Sequence, residues 1–164
     1  MRITTLKNAY TKEEAEGIVW NADKRVNIVQ TEEIYYPYYR MRYTIVVGGK
    51  SWNKLNKLAY CIVDLVDGRP AESRGEPDYQ QIEIEPSRAL PIAVSKEECY
   101  KKSHDFVLKL YLNKAKLLHV PGMEILSEEL FYKKFYLVQC KDAQDLDYFL
   151  MVDSIEGELS ILDS

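Results

Sequence analysis

Two aspartates occupy matching places in this chain. Asp64 opens Asp64-Leu65-Val66-Asp67-Gly68, and Asp153 opens Asp153-Ser154-Ile155-Glu156-Gly157, each behind an apolar run. Paired carboxylates do acid–base work only within reach of each other and of a substrate. An aspartate opening a glycine-closed turn ordinarily accepts hydrogen bonds from the turn's own backbone, and that is the expected role of both. His104 and His119 are the only histidines, and Cys61, Cys99 and Cys140 are widely spaced. Cys99-x4-His104 supplies two donors about a helical turn apart, but zinc needs three or four converging ligands. No Gly-x-Ser-x-Gly elbow or Ser/His/Asp ordering is present. Gly48-Gly49-Lys50-Ser51 is similar to the end of a phosphate-binding loop, yet Thr44 stands where that loop needs its first glycine. The glycines fit a hairpin turn better. The residues nominate no reaction, cofactor or metal, and the expectation is a protein that is not an enzyme.

The sharper signal is electrostatic. Ile34 to Val63 contains no acidic residue but carries Arg40, Arg42, Lys50, Lys54 and Lys57, interleaved with Tyr35, Tyr36, Tyr38 and Trp52. Beyond Lys141 the chain has no basic residue, and it carries Asp142, Asp145, Asp147, Asp153, Glu156, Glu158 and Asp163. A solvated sheet face explains such a pattern without any partner. Tyrosine, tryptophan and arginine are also the anchors enriched at binding hot spots, and opposed patches steer association. The candidate partner-binding residues are therefore Tyr36, Tyr38, Arg40, Arg42, Lys50, Trp52 and Lys54. They would engage an unidentified acidic protein, or the acidic C-terminal segment of a second copy. The alternative is single-stranded nucleic acid, its bases stacked on Tyr36, Tyr38 and Trp52. The net charge of −4 argues against that alternative.

These side chains need elements to hold them. Thr11-x-x-Glu14 and Ser95-x-x-Glu98 are capping boxes. They predict helices over 12–23, burying Ala15, Ile18 and Val19, and over 96–112, with Cys99, Phe106, Val107 and Leu110 inward. A short strand is expected over 26–30. From Tyr35 to Val47 the residues alternate, with Tyr39, Met41, Tyr43, Ile45 and Val47 on one face and Tyr38, Arg40, Arg42 and Thr44 on the other. Pro37 is expected near that strand's beginning or at an edge. Leu58 to Val66 should return. In the second half, 117–120, 131–140, 147–152 and 159–162 read as strands. Gly68 to Pro91, rich in proline, reads as a linker in which 79–85 forms an extra strand.

The two halves therefore read as copies. Tyr39-Arg40-x-x-Tyr43 aligns with Tyr132-Lys133-x-x-Tyr136, which pairs Tyr39 with Tyr132 and Ile45 with Val138. The order of helix, strand, long strand and returning strand ending in Asp-x-x-x-Gly resembles the PepSY family. Glu13-Glu14-Ala15 and Glu97-Glu98-Cys99 are similar to its opening helix, and Tyr43-Thr44-Ile45 and Tyr136-Leu137-Val138 to its strand. Asp67 and Glu156 replace the turn threonine. The resemblance implies small antiparallel sheets packed on a helix, and a binding or inhibitory role. The expected fold is thus α+β, cystatin/PepSY-like: one repeat over 1–75, a linker over 76–91 and a second repeat over 92–164.

Hydrophobic residues make up 46% and charged residues 29% of the 164 positions, so the chain is of globular type. No apolar run approaches a bilayer span, and Met1 to Tyr10 lacks the apolar region of a signal peptide. With cysteines odd in number and unpaired in spacing, a cytoplasmic, membrane-free protein is expected.

Overall fold

The computed structural model describes residues 1–7, 10–47, 55–73, 75–115 and 122–162. In chain order the elements are β1 (Arg2–Leu6), α1 (Lys12–Ala22), β2 (Asn27–Val47), β3 (Leu55–Asp64), β4 (Pro70–Glu72), β5 (Tyr79–Glu83), a 3-10 turn (Pro86–Arg88), α2 (Lys96–Ala115), β6 (Gly122–Lys141), β7 (Asp147–Asp153) and β8 (Leu159–Leu162). Both helices begin where the capping boxes place them. Thr11 Oγ1 accepts from the Glu14 amide and Ser95 Oγ from the Glu98 amide, each at 3.2 Å. The expected 117–120 strand and the Gly48-Gly49 turn lie outside the described residues.

The eight strands belong to one mixed sheet, ordered β4-β3-β2-β6-β1-β5, with β7 on β6 and β8 on β7. This corrects the expectation of two PepSY-like tandem repeats, each a helix on its own small sheet. The physical reason lies in two very long strands. At about 3.3 Å per residue, the 21 residues of β2 run about 70 Å. At about 1.5 Å per residue, the 11 residues of α1 cover about 16 Å. One short helix cannot roof such a strand. No glycine or proline interrupts 26–36, so the expected short strand and long strand fuse into β2, and Pro37 sits inside it.

Two compact units result, each discontinuous in sequence. One contains 1–36, 77–90 and 132–164; the other contains 37–76 and 91–131. In the first unit, α1 buries Ala15 and Val19 against Tyr136, Val138, Cys140, Leu150 and Val152 of β6 and β7. A smaller cluster in the same unit joins Ile3, Tyr35 and Tyr132. There Thr5, on β1, donates its hydroxyl to the Tyr132 carbonyl at 2.6 Å, and β1 runs parallel to β6 and antiparallel to β5. In the second unit, α2 buries Cys99 and Val107 against Tyr39, Met41, Tyr43, Ile45, Cys61 and Val63 of β2 and β3. Each helix thus packs on strands from the opposite half of the sequence. Tyr39 and Tyr132, aligned above, fall in different cores. Local repetition of caps and turns did not extend to a helix packing on its own ribbon.

The two aspartate turns carry the same bonds. Asp64 Oδ1 accepts from the Val66 and Asp67 amides at 2.8 and 3.0 Å. Asp153 Oδ1 accepts from the Ile155 and Glu156 amides at 2.8 and 3.1 Å. Gly68 and Gly157 close the turns at φ of +80° and +72°, where a side chain is strained. Their surroundings differ. A Cβ on Gly68 would meet the flexible end of Lys102, whereas one on Gly157 would sit 2.9 Å from the Tyr10 ring. Gly68→Ala is therefore expected to cost about 1 kcal/mol and Gly157→Ala about 2–3 kcal/mol. Urea unfolding of the two variants checks this, and equal losses would contradict it.

Candidate docking surface

Strand alternation sorts β2 into two faces. Registered against β3, Tyr39 faces Val63, Met41 faces Cys61 and Tyr43 faces Ala59. These residues form the core beneath α2. A buried polar cluster lies among them: Ser103, wholly buried on α2, is 2.6 Å from the Tyr43 hydroxyl and donates to the Tyr100 carbonyl at 3.1 Å. The opposite face pairs Tyr38 with Asp64, Arg40 with Ile62 and Arg42 with Tyr60.

Arg40 does not stand free on this face. It is 4% exposed. Its Nη2 donates to the Gly75 carbonyl at 3.2 Å, its Nη1 lies 3.6 Å from Glu129 Oε2, and its guanidinium sits 4.7 Å over the Tyr60 ring. Arg42 takes the same ring from 5.8 Å. It is half-buried, its Nε has no hydrogen-bond partner, and no carboxylate among the described residues forms an ion pair with it. Tyr60 donates to Glu76 at 3.5 Å. Tyr38 stacks on Phe131 with centroids 5.6 Å apart and planes at 19°. Within the other unit, Tyr36 meets Phe135 edge-on at 5.9 Å. Lys50, Trp52 and Lys54 lie outside the described residues.

The structure thus gathers Tyr38, Arg40 and Arg42 around residues that sequence reasoning missed: Tyr60, Glu129 and Phe131. Tyr60 was within reach of the sequence, since it lies on the returning strand with the right parity. Glu129 and Phe131 carried no such signal, because they arrive from the distant strand β6.

Beside α2, Glu128 accepts from Tyr100 at 2.6 Å and lies 3.7 Å from Lys96 Nζ. The Tyr100 hydrogen bond holds the Glu128 carboxyl below its ordinary range. Burial pushes the phenols the other way. Tyr35 is raised from 10 to about 12, by desolvation first and the Glu33 carboxylate second, and desolvation is likewise the leading cause for Tyr39, Tyr43, Tyr132 and Tyr136. A folded-state pKa above the unfolded one contributes stability that is present below the unfolded value and lost as pH rises toward the folded one. Stability is therefore expected to hold between pH 7 and 9 and fall above about pH 10. Urea midpoints against pH check it, and Tyr35→Phe should flatten the decline. Glu128 has the opposite sign: its contribution is present above the unfolded carboxyl value and is lost as pH falls through the acidic range.

Burial also raises the thiols, Cys61 to about 12, with Cys99 and Cys140 moving the same way. All three are buried and unpaired, so they stay protonated and are poor nucleophiles. Cys99 points into the core while His104 is exposed beside Asp105 at 3.8 Å. Among the described residues no three His, Cys, Asp or Glu side chains are placed to hold a metal. No helix of the described residues is long and apolar enough to cross a membrane.

No family model matches this chain. No curated protein or solved structure matches it either.

Proposed function

We propose that the chain is a non-catalytic, cytosolic binding module that docks an acidic partner protein on the face bearing Tyr38, Arg42 and Tyr60. The observation that carries this reading is Arg42. A half-buried guanidinium stacked on an aromatic ring, without an ion-pair partner among the described residues, has lost part of its hydration for little return. The Nε is itself buried, so a partner carboxylate would meet the terminal nitrogens of the guanidinium, with charge-assisted bonds. Arg40, clamped against the same ring by Glu129 and Gly75, holds Tyr60 in place and so lowers the ordering cost of docking. Tyrosine and arginine are the residue types that dominate binding energy at such surfaces. The three buried thiols suit a reducing compartment.

The test compares affinity capture from the native cell by the parent chain and by Arg42→Glu, with circular dichroism confirming that both are folded. An acidic protein held by the parent and by Arg42→Lys, and lost from Arg42→Glu, is the expected result. A partner held equally by Arg42→Glu would sink the reading. So would retention of single-stranded oligonucleotide with a steep salt dependence, which is the signature of phosphate binding.

A further inference from the structure

Among the described residues, three strands of the sheet have a single neighbour: β4, β5 and β8. An open edge exposes unpaired N–H and C=O groups, and natural proteins blunt such edges with proline, charge or extreme shortness. β4 is three residues long, begins with Pro70 and ends with Glu72. β5 carries Gln80, Gln81 and Glu83. β8 is also short, at four residues, but it has no proline or charged side chain within it. Its sequence is Leu159-Ser160-Ile161-Leu162, and it pairs only with β7, setting Leu162 opposite Phe149 and Ile161 opposite Leu150. Ile161 is 71% exposed, and Leu162 and Phe149 are 39% and 38% exposed. Since Ile161 and Leu162 point to opposite faces, an incoming strand would find apolar surface on both sides.

The charge around this edge selects what comes. Glu156, Glu158 and Asp147 are exposed beside it, Asp163 follows it in sequence, and no basic residue occurs after Lys141. A second copy is a poor occupant. It would bring the same acidic rim of Glu156 and Glu158, with no basic residue after Lys141 to answer it, and like charges brought together are unfavourable. We propose that β8 is a strand-addition site for an extended peptide segment with a β-branched apolar centre and lysine or arginine at its flanks. Main-chain bonds to β8 hold the segment, and the flanking cations read the acidic rim. This surface shares no residue with the Arg42 face and calls for the opposite charge in its partner.

The test uses the whole chain and a dye-labelled peptide with a Val, Thr and Ile core flanked by two lysines at each end, followed by fluorescence anisotropy. Binding should weaken with added salt. It should fall at least about tenfold with a glutamate-flanked peptide, with Ile161→Lys and with the pair Glu156→Lys and Glu158→Lys. All three substitutions are at exposed positions, and circular dichroism verifies the fold. Arg42→Glu should leave peptide binding unchanged, which separates this site from the docking face. Equal binding of the glutamate-flanked peptide, or unaltered binding by folded Ile161→Lys, would overturn the proposal. So would sedimentation showing a dimer that Ile161→Lys dissociates, since the edge would then belong to a second copy.

Discussion

Asp153→Ala is expected to lower the unfolding free energy by about 3–5 kcal/mol. The Asp153 carboxylate is 8% exposed and ion-paired to Lys133, itself 18% exposed. It also accepts from the Ile155 and Glu156 amides. Removing it leaves a largely buried ammonium without its counter-charge and two turn amides without their acceptor, and such orphaned groups cost far more than the pair contributed. The Lys133 ammonium keeps its 5.6 Å contact with the Phe135 ring, which does not replace a counter-charge. Urea unfolding measures the loss. A double-mutant cycle with Lys133→Met apportions it, because the second change removes the stranded charge and should recover part of the stability. A loss below about 1 kcal/mol, the level of an exposed ion pair, would show that the pair does not behave as a buried one.

The second large effect separates two arginines that the sequence treats alike. Arg40→Glu is expected to destabilise by about 3 kcal/mol or more. It sets a second carboxylate beside Glu129 and empties the guanidinium from over Tyr60, in a site only 4% exposed. Arg42→Glu loses a 5.8 Å cation–π contact at a half-buried position and is expected to cost about 1 kcal/mol. Thermal and urea unfolding of the two variants should therefore diverge. Any loss of partner binding by Arg40→Glu would report a damaged fold, whereas the same loss by Arg42→Glu would report the docking face. Equal stability of the two variants would contradict the assigned burial.

The lesson of these two residues extends to the whole chain. What lies within a few residues was legible in the sequence. Thr11 and Ser95 start their helices through bonds to amides three residues on. Asp64 and Asp153 cap their own turns, and the two-residue period of β2 sends Met41 and Tyr43 inward. Each of these depends on backbone geometry that neighbouring side chains set directly. What depended on distant pairing was not legible. The parity of β2 correctly put Arg40 and Arg42 on the same face, but parity says nothing about what covers a face. Gly75 and Glu129, which bury Arg40, lie 35 and 89 positions away along the chain. Capped helices and aspartate turns likewise could not reveal which helix packs on which strands. They suggested two closed repeats, and the tertiary structure instead set α1 on β6 and β7 and α2 on β2 and β3. A strand's edge is satisfied by any backbone that reaches it, because main-chain donors and acceptors are the same in every residue. Only the packing of the whole molecule decides which strand arrives, and among the described residues none pairs with the outer edge of β8.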